Sequence, residues 1–147
     1  MRVLIIKTSS LGDVVHALPA ISDMARAIPG IQIDWLVEKS FAAMPQQHRA
    51  VQRVITLQWR KWRKSLRTPE TQAAIRGWRA EMGQHRYDLI IDMVSSSSLS
   101  QLRSVLTEHG TLVVGGVGVA NAVRAFLDSK RTVIATLKCV GAPASVV

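Results

Sequence analysis

The sequence predicts an α/β fold in which a mostly parallel sheet is covered by helices. Three observations carry that expectation. Short apolar runs recur at residues 2–6, 31–37, 51–57 and 87–94. Segments of helical spacing separate them, most clearly at 13–27 and 69–83. Turn residues such as Pro29-Gly30 punctuate the joins. At 147 residues and 48% hydrophobic, the chain suits one domain with a real core.

Residues 2–6 are a short apolar strand. Lys7-Thr8-Ser9-Ser10-Leu11-Gly12-Asp13 follows as a small polar turn, and residues 13–27 form a helix that stops at Pro29-Gly30. Residues 31–37 alternate through Ile31, Ile33, Trp35 and Val37, a second strand. Residues 41–50 form a short helix or irregular segment broken by Pro45, and 51–57 a third strand. Residues 69–83 form an amphipathic helix with Ala73, Ile75, Trp78 and Met82 on its inner side. Residues 87–94 form a strong strand around Leu89, Ile90 and Ile91.

A composition shift follows at Ser95-Ser96-Ser97-Ser98, a loop or a helix start. Residues 99–107 have helical spacing through Leu99, Leu102, Val105 and Leu106. His109-Gly110 is a turn before a strand at 111–114 and the Gly115-Gly116-Val117-Gly118 turn. Residues 120–127 fit a helix, 132–137 a strand and 141–147 a loose tail.

The net charge of +9 points to an anionic partner: phosphate-bearing lipid, nucleic acid or an acidic sugar. A basic surface with no dedicated ligand gives the same total. The single cysteine, Cys139, allows no intrachain disulfide and no cysteine-built metal site. The N-terminal apolar run is too short for a signal peptide, and no stretch reaches the ~18 apolar residues of a spanning helix. These features predict a cytoplasmic protein able to touch a membrane surface through its charge.

Three groups of residues can carry chemistry. The first is the turn from Lys7 to Asp13, placed where open α/β sheets bind ligands, at the carboxyl edge. Its small residues Ser9, Ser10 and Gly12 let backbone N–H groups face a ligand at a helix start. Asp13 can cap that helix or take a proton from a substrate hydroxyl, and spacing alone favours the cap. His16, one turn on, can orient a substrate or be an ordinary helix histidine. The turn lacks the glycines and the Gly-Lys-Ser/Thr ending of a nucleotide P-loop.

The second group is Gln58-Trp59-Arg60-Lys61-Trp62-Arg63-Lys64-Ser65-Leu66-Arg67, with five cations and two tryptophans in ten residues. As a helix it would place Arg60, Arg63, Lys64 and Arg67 on one face. Arginine suits bidentate phosphate or carboxylate contacts, and tryptophan can stack on a sugar or base or lie in a membrane interface. A solvated basic face with a tryptophan anchored in the core is the plainer alternative. The third is Gly115-Gly116-Val117-Gly118, which lacks the third glycine and the following acid of a dinucleotide-binding turn.

The N-terminal segment through Asp13-Val14-Val15-His16-Ala17-Leu18-Pro19-Ala20 resembles the start of the ADP-heptose-using lipopolysaccharide heptosyltransferases I. The resemblance continues through Asp34-Trp35, Val37-Glu38, Arg60, Trp62-Arg63-Lys64 and Tyr87-Asp88, and covers about residues 1–92. It implies a Rossmann-like three-layer sandwich, one domain of a two-domain GT-B glycosyltransferase. It also implies transfer of L-glycero-D-manno-heptose from ADP-heptose to Kdo-lipid A in inner-core synthesis. By that resemblance Asp13 is the general base. Lys7, Ser9, Ser10, Gly12, His16, Arg60, Arg63 and Lys64 contact the anionic acceptor. No cofactor and no metal are implied, and nucleic acid is not the expected partner. The expected location is cytoplasmic, peripheral to the inner membrane.

After Asp92 the sequence departs from that family and resembles the late Rossmann portion of medium-chain dehydrogenases over 87–137. The expected organisation is therefore an acceptor-binding portion at 1–92, a completing portion at 93–140 and a tail at 141–147. With the donor-binding domain missing, the chain is expected to be catalytically incomplete alone. The rival readings are an NAD(P)-binding oxidoreductase-like fragment and an inactive Rossmann-like fusion scaffold.

Overall fold

A computed structural model describes residues 1–94 and 102–114. The strands are β1 (Arg2–Ile6), β2 (Gln32–Glu38), β3 (Val51–Leu57), β4 (Tyr87–Asp92) and β5 (Leu106–Val114). All pairings are parallel, in the order β3-β2-β1-β4-β5. Helix α1 (Leu11–Ala27) connects β1 to β2, and α4 (Pro69–Met82) precedes β4. The short helices α2 (Ala43–Gln46) and α3 (Trp59–Trp62) flank β3.

Each face of the sheet has its own core. On one, Val14, Ala17, Ile21 and Met24 of α1 cover Val3, Ile5, Ile33, Trp35 and Ile91. On the other, Met82 of α4 joins Leu4, Ile6, Leu36, Ile55, Tyr87 and Ile90. Burial on both faces explains why β1 and β4 read as continuous apolar runs. It also explains why β2 is buried from Ile33 to Glu38, although only its odd positions follow the predicted alternation.

The α/β parallel architecture expected from the sequence is therefore present, with three layers. Several local expectations need correction. Helix α1 begins two residues earlier than predicted, because Ser10 is its N-cap and Asp13 its third residue. Gly12 thus belongs to the first helical turn. Ala73 is exposed, and Thr71 is buried instead. Thr71, Ile75, Trp78 and Met82 keep the three-to-four residue spacing of one helix face, and Ala73 falls outside it.

The predicted helix at 99–107 keeps a helical piece at Leu102 and Arg103, whereas its end at 106–107 and the predicted turn at His109-Gly110 give way. Residues from Leu106 to Gly110 lie in β5, beside an irregular register in which Tyr87 faces Leu106 and Leu89 faces Thr111. A Cβ on Gly110 would stand 2.8 Å from both the Tyr87 carbonyl oxygen and Leu106 Cδ2. The glycine marks a close backbone approach. Gly30, by contrast, has φ +73° and turns the chain between α1 and β2. The expectations for 95–101, for the Gly115–Gly118 turn, for Cys139 and for all of 115–147 lie outside the described residues.

Candidate functional site

Parallel strands put all their carboxyl ends on one edge of the sheet. The segments that leave this edge include residues 7–10 after β1, 39–41 after β2, and Gln58 with α3 after β3. The Lys7–Asp13 turn and the basic cluster thus share an edge. They lie two strand spacings apart, about 10 Å.

The β1 segment is held from below by β2. The Lys7 N–H donates to the Leu36 carbonyl at 3.2 Å, and the Trp35 indole N–H donates to the Lys7 carbonyl at 3.2 Å. Asp13 turns back over this segment. Its Oδ2 accepts from the Ser10 N–H at 3.1 Å and from Ser10 Oγ at 3.3 Å, and lies 3.4 Å from Lys7 Nζ. An acid at the third helical position that returns to the N-cap amide satisfies an otherwise orphaned donor. The Ser10 N–H first, and the Lys7 charge second, hold the Asp13 carboxyl below the usual carboxylate range. Asp13 is nonetheless exposed and ionised, with an oxygen edge open to a ligand.

Lys7, Ser10 and Asp13 therefore form one unit. Ser9 is half-buried in the same segment, and Gly12 is exposed with nothing within 4 Å of the position of a Cβ. His16 is exposed one turn further along α1.

The basic cluster is helical only at Trp59–Trp62. Arg63 caps the carboxyl end, and Lys64 and Arg67 lie in the turns that lead to Thr68 and α4. The expected common helical face of Arg60, Arg63, Lys64 and Arg67 therefore does not extend to its last members. One tryptophan is the anchor. Trp62 is 6% exposed and meets Trp78 of α4 edge to face, with centroids 6.2 Å apart. Trp59 is 49% exposed. The Arg60 guanidinium lies 5.4 Å from the centre of the Phe41 ring, a cation–π contact. Arg60, Lys61, Arg63 and Lys64 are all exposed.

One residue of this edge carried no role in the sequence reading. Glu38, the last residue of β2, is 7% exposed, and its Oε2 accepts from the Trp59 N–H at 3.2 Å. Its own N–H donates to the Thr8 carbonyl at 3.2 Å. The available signal was an acid closing a buried strand at the carboxyl edge. A cavity of about 470 Å³ lined by Ser22, Arg26, His48 and Arg49 lies elsewhere. It is beside the end of α1 and the entry to β3, on the amino edge, away from this cluster. Among the described residues, no three acidic, histidine or cysteine side chains are placed to hold a metal. No helix among them is long and apolar enough to cross a membrane.

A parallel sheet with an ionised acid, a lysine and an arginine-rich segment on one edge defines a Rossmann-like domain suited to an anionic ligand. The relatives sharpen that class. The chain is similar to lipopolysaccharide heptosyltransferase 1 of Pseudomonas aeruginosa, 53% identical over 92 residues, which is 63% of this chain and 26% of that protein. It is similar to the protein of the same name from Escherichia coli K12, 44% identical over 113 residues, 75% of this chain and 35% of that protein. The second match extends beyond the 92 residues of the N-terminal resemblance. The chain thus spans about a quarter to a third of these relatives' length.

Among solved structures, E. coli heptosyltransferase WaaC with ADP-2-deoxy-2-fluoro heptose superposes with a TM-score of 0.66 at 33% identity. The match covers 88% of this chain and 48% of that one. A glycosyl transferase family 9 protein from Veillonella parvula has a TM-score of 0.63 at 12% identity over 87% of this chain and 41% of its own, which supports the fold alone. No protein-family profile matches the chain. The resemblance to heptosyltransferase I and the one-domain Rossmann-like architecture hold.

Proposed function

We propose that this chain supplies the acceptor-binding half of a heptosyltransferase that uses ADP-heptose. The observation that carries the reading is the edge itself. Lys7 and Asp13 lie on the same sheet edge as Arg60, Arg63 and Lys64, in a chain similar to heptosyltransferases 1. In this reading the acceptor is Kdo-lipid A, whose carboxylates and phosphates suit guanidinium forks and ammonium charges. Residues 1–92 form the acceptor-binding portion, and 93–140 complete the domain. The protein works in the cytoplasm against the inner membrane, with exposed Trp59 beside the cations.

Asp13 acts as general base. Its Oδ takes the proton of an acceptor hydroxyl while that oxygen attacks the anomeric carbon of the heptose. The new carbon–oxygen bond forms as the bond to the diphosphate breaks, and ADP leaves with the electron pair. A carboxylate this acidic is a weak base, so proton transfer must come late, when attack has already made the hydroxyl acidic. Ser9, Ser10, Gly12 and His16 line the approach to Asp13, with Lys7 countering the acceptor's charge. Residues beyond those matched must hold the donor, since positioning two substrates supplies much of the rate of such a transfer.

Calorimetric titration with Kdo-lipid A in detergent tests the binding claim. The wild type should bind, and an Arg60→Ala/Arg63→Ala double variant should bind at least about tenfold more weakly. Equal binding by the two sinks the acceptor reading.

A further inference from the structure

Glu38 ties the two halves of the candidate site together. It sits at the carboxyl end of β2, between the segment after β1 and the basic cluster after β3. Its side chain is nearly fully buried, although it is an acid at the rim of the sheet. The Oε2 atom accepts the Trp59 N–H, the first helical amide of α3, at 3.2 Å. No side chain from Gln58, the N-cap, performs that task. On the other side, the Glu38 N–H donates to the Thr8 carbonyl, one residue from Lys7. Phe41, three residues on, lies under the Arg60 guanidinium.

A helix of one turn has little stability of its own. Held only by the burial of Trp62, α3 would keep its radial position but could rotate about that anchor. The Glu38 carboxylate removes that freedom by fixing its first amide. A buried acid is costly unless its charge is met by donors, and the Trp59 N–H is such a donor.

We propose that Glu38 is the positioning residue of the acceptor site. It caps α3 from a neighbouring strand and so sets Arg60 and Arg63 against Lys7 and Asp13. The proposal rests on the acceptor reading for what the cations hold, but not for the anchoring itself. What the anchor needs is an acceptor oxygen at Oε2, so glutamine can replace glutamate and alanine cannot.

The experiment uses the full chain as wild type, Glu38→Gln and Glu38→Ala. Amide hydrogen exchange is followed by NMR at Trp59 and, as an internal reference, at Ile5 and Ile91 in the sheet core. Trp59 should be protected in the wild type and in Glu38→Gln. In Glu38→Ala it should exchange at least about tenfold faster, with Ile5 and Ile91 unchanged. An unprotected Trp59 amide in Glu38→Gln overturns the proposal, including the case in which Glu38→Ala does not fold. So does an unchanged Trp59 in a folded Glu38→Ala.

The same variants are titrated with Kdo-lipid A. Affinity should fall about tenfold or more in Glu38→Ala and be restored in Glu38→Gln. Faster Trp59 exchange with unaltered affinity overturns the positioning role. If the wild type itself fails to bind Kdo-lipid A, the acceptor reading falls, and the exchange result alone decides whether Glu38 anchors α3.

Discussion

The Tyr87 hydroxyl donates to Asp34 Oδ2 at 2.9 Å, reaching across β1 from β4 to β2. Arg53 of β3 closes the cluster, with Nη2 2.8 Å from the Tyr87 oxygen and 3.3 Å from Asp34 Oδ2. Its buried Nε has no partner among the described residues, and Nη2 is the atom that meets both oxygens. Burial and the neighbouring carboxylate push the Tyr87 hydroxyl up to about 12. Replacing Tyr87 by phenylalanine should cost about 1–3 kcal/mol, because Asp34 loses a donor inside the core. Urea denaturation of the variant checks this.

The same shift gives a pH dependence. The folded value lies above the ordinary 10.0 of a tyrosine. The stability that neutral Tyr87 contributes is thus complete below pH 10 and lost as pH rises toward about 12. Tyr87 is the chain's one tyrosine, so tyrosinate absorbance reports it directly. A midpoint at the ordinary tyrosine value would contradict the buried cluster.

Asp13 behaves in the opposite sense. Its lowered folded value means that its contribution is present above the ordinary 3.8 and lost as pH falls through the folded value. Lys7→Gln should move the Asp13 titration upward but not back to the ordinary value, because the larger cause, the Ser10 N–H, remains. Carboxyl-carbon NMR titration of the two proteins reads the difference.

The two tryptophans of the basic cluster should separate sharply on truncation. Trp62→Ala removes a buried ring packed on Trp78 and should cost about 3–5 kcal/mol. Trp59→Ala removes a half-exposed side chain and should change stability by only about 0.5 kcal/mol, since its anchored amide is unaltered. Denaturation midpoints of the two variants decide.

Gly110→Ala should cost about 1–3 kcal/mol, because the added methyl meets the Tyr87 carbonyl, which cannot swing aside as a side-chain end would. An unaffected melting transition would mean that β4 and β5 do not meet as closely as described.

The β1–α1–β2 unit was legible because each signal in it is local: an apolar run, a polar turn, a helical period and Pro29-Gly30. Departures came where a long-range partner decides. Gly110 suggested a turn on its own, but pairing with β4 makes it part of a strand. The basic cluster suggested a longer helix, and Thr68 with Pro69 instead starts a new one, with Thr68 Oγ1 accepting the Thr71 N–H. At the site, Lys7 and Asp13 were visible in one turn because they stand only six positions apart, and the structure pairs them. Glu38 was not, since its partner lies 21 residues away. The Asp34–Tyr87 bond, at a separation of 53, was equally hidden.

Trp35 is fully buried, yet its indole N–H ends on the Lys7 carbonyl. Indole emission is sensitive to the loss of such a bond and to the charge nearby. The chain therefore carries its own optical gauge of the first loop. Any event that lifts the Lys7 backbone breaks that bond and alters the Trp35 contribution to the emission of the chain's four tryptophans.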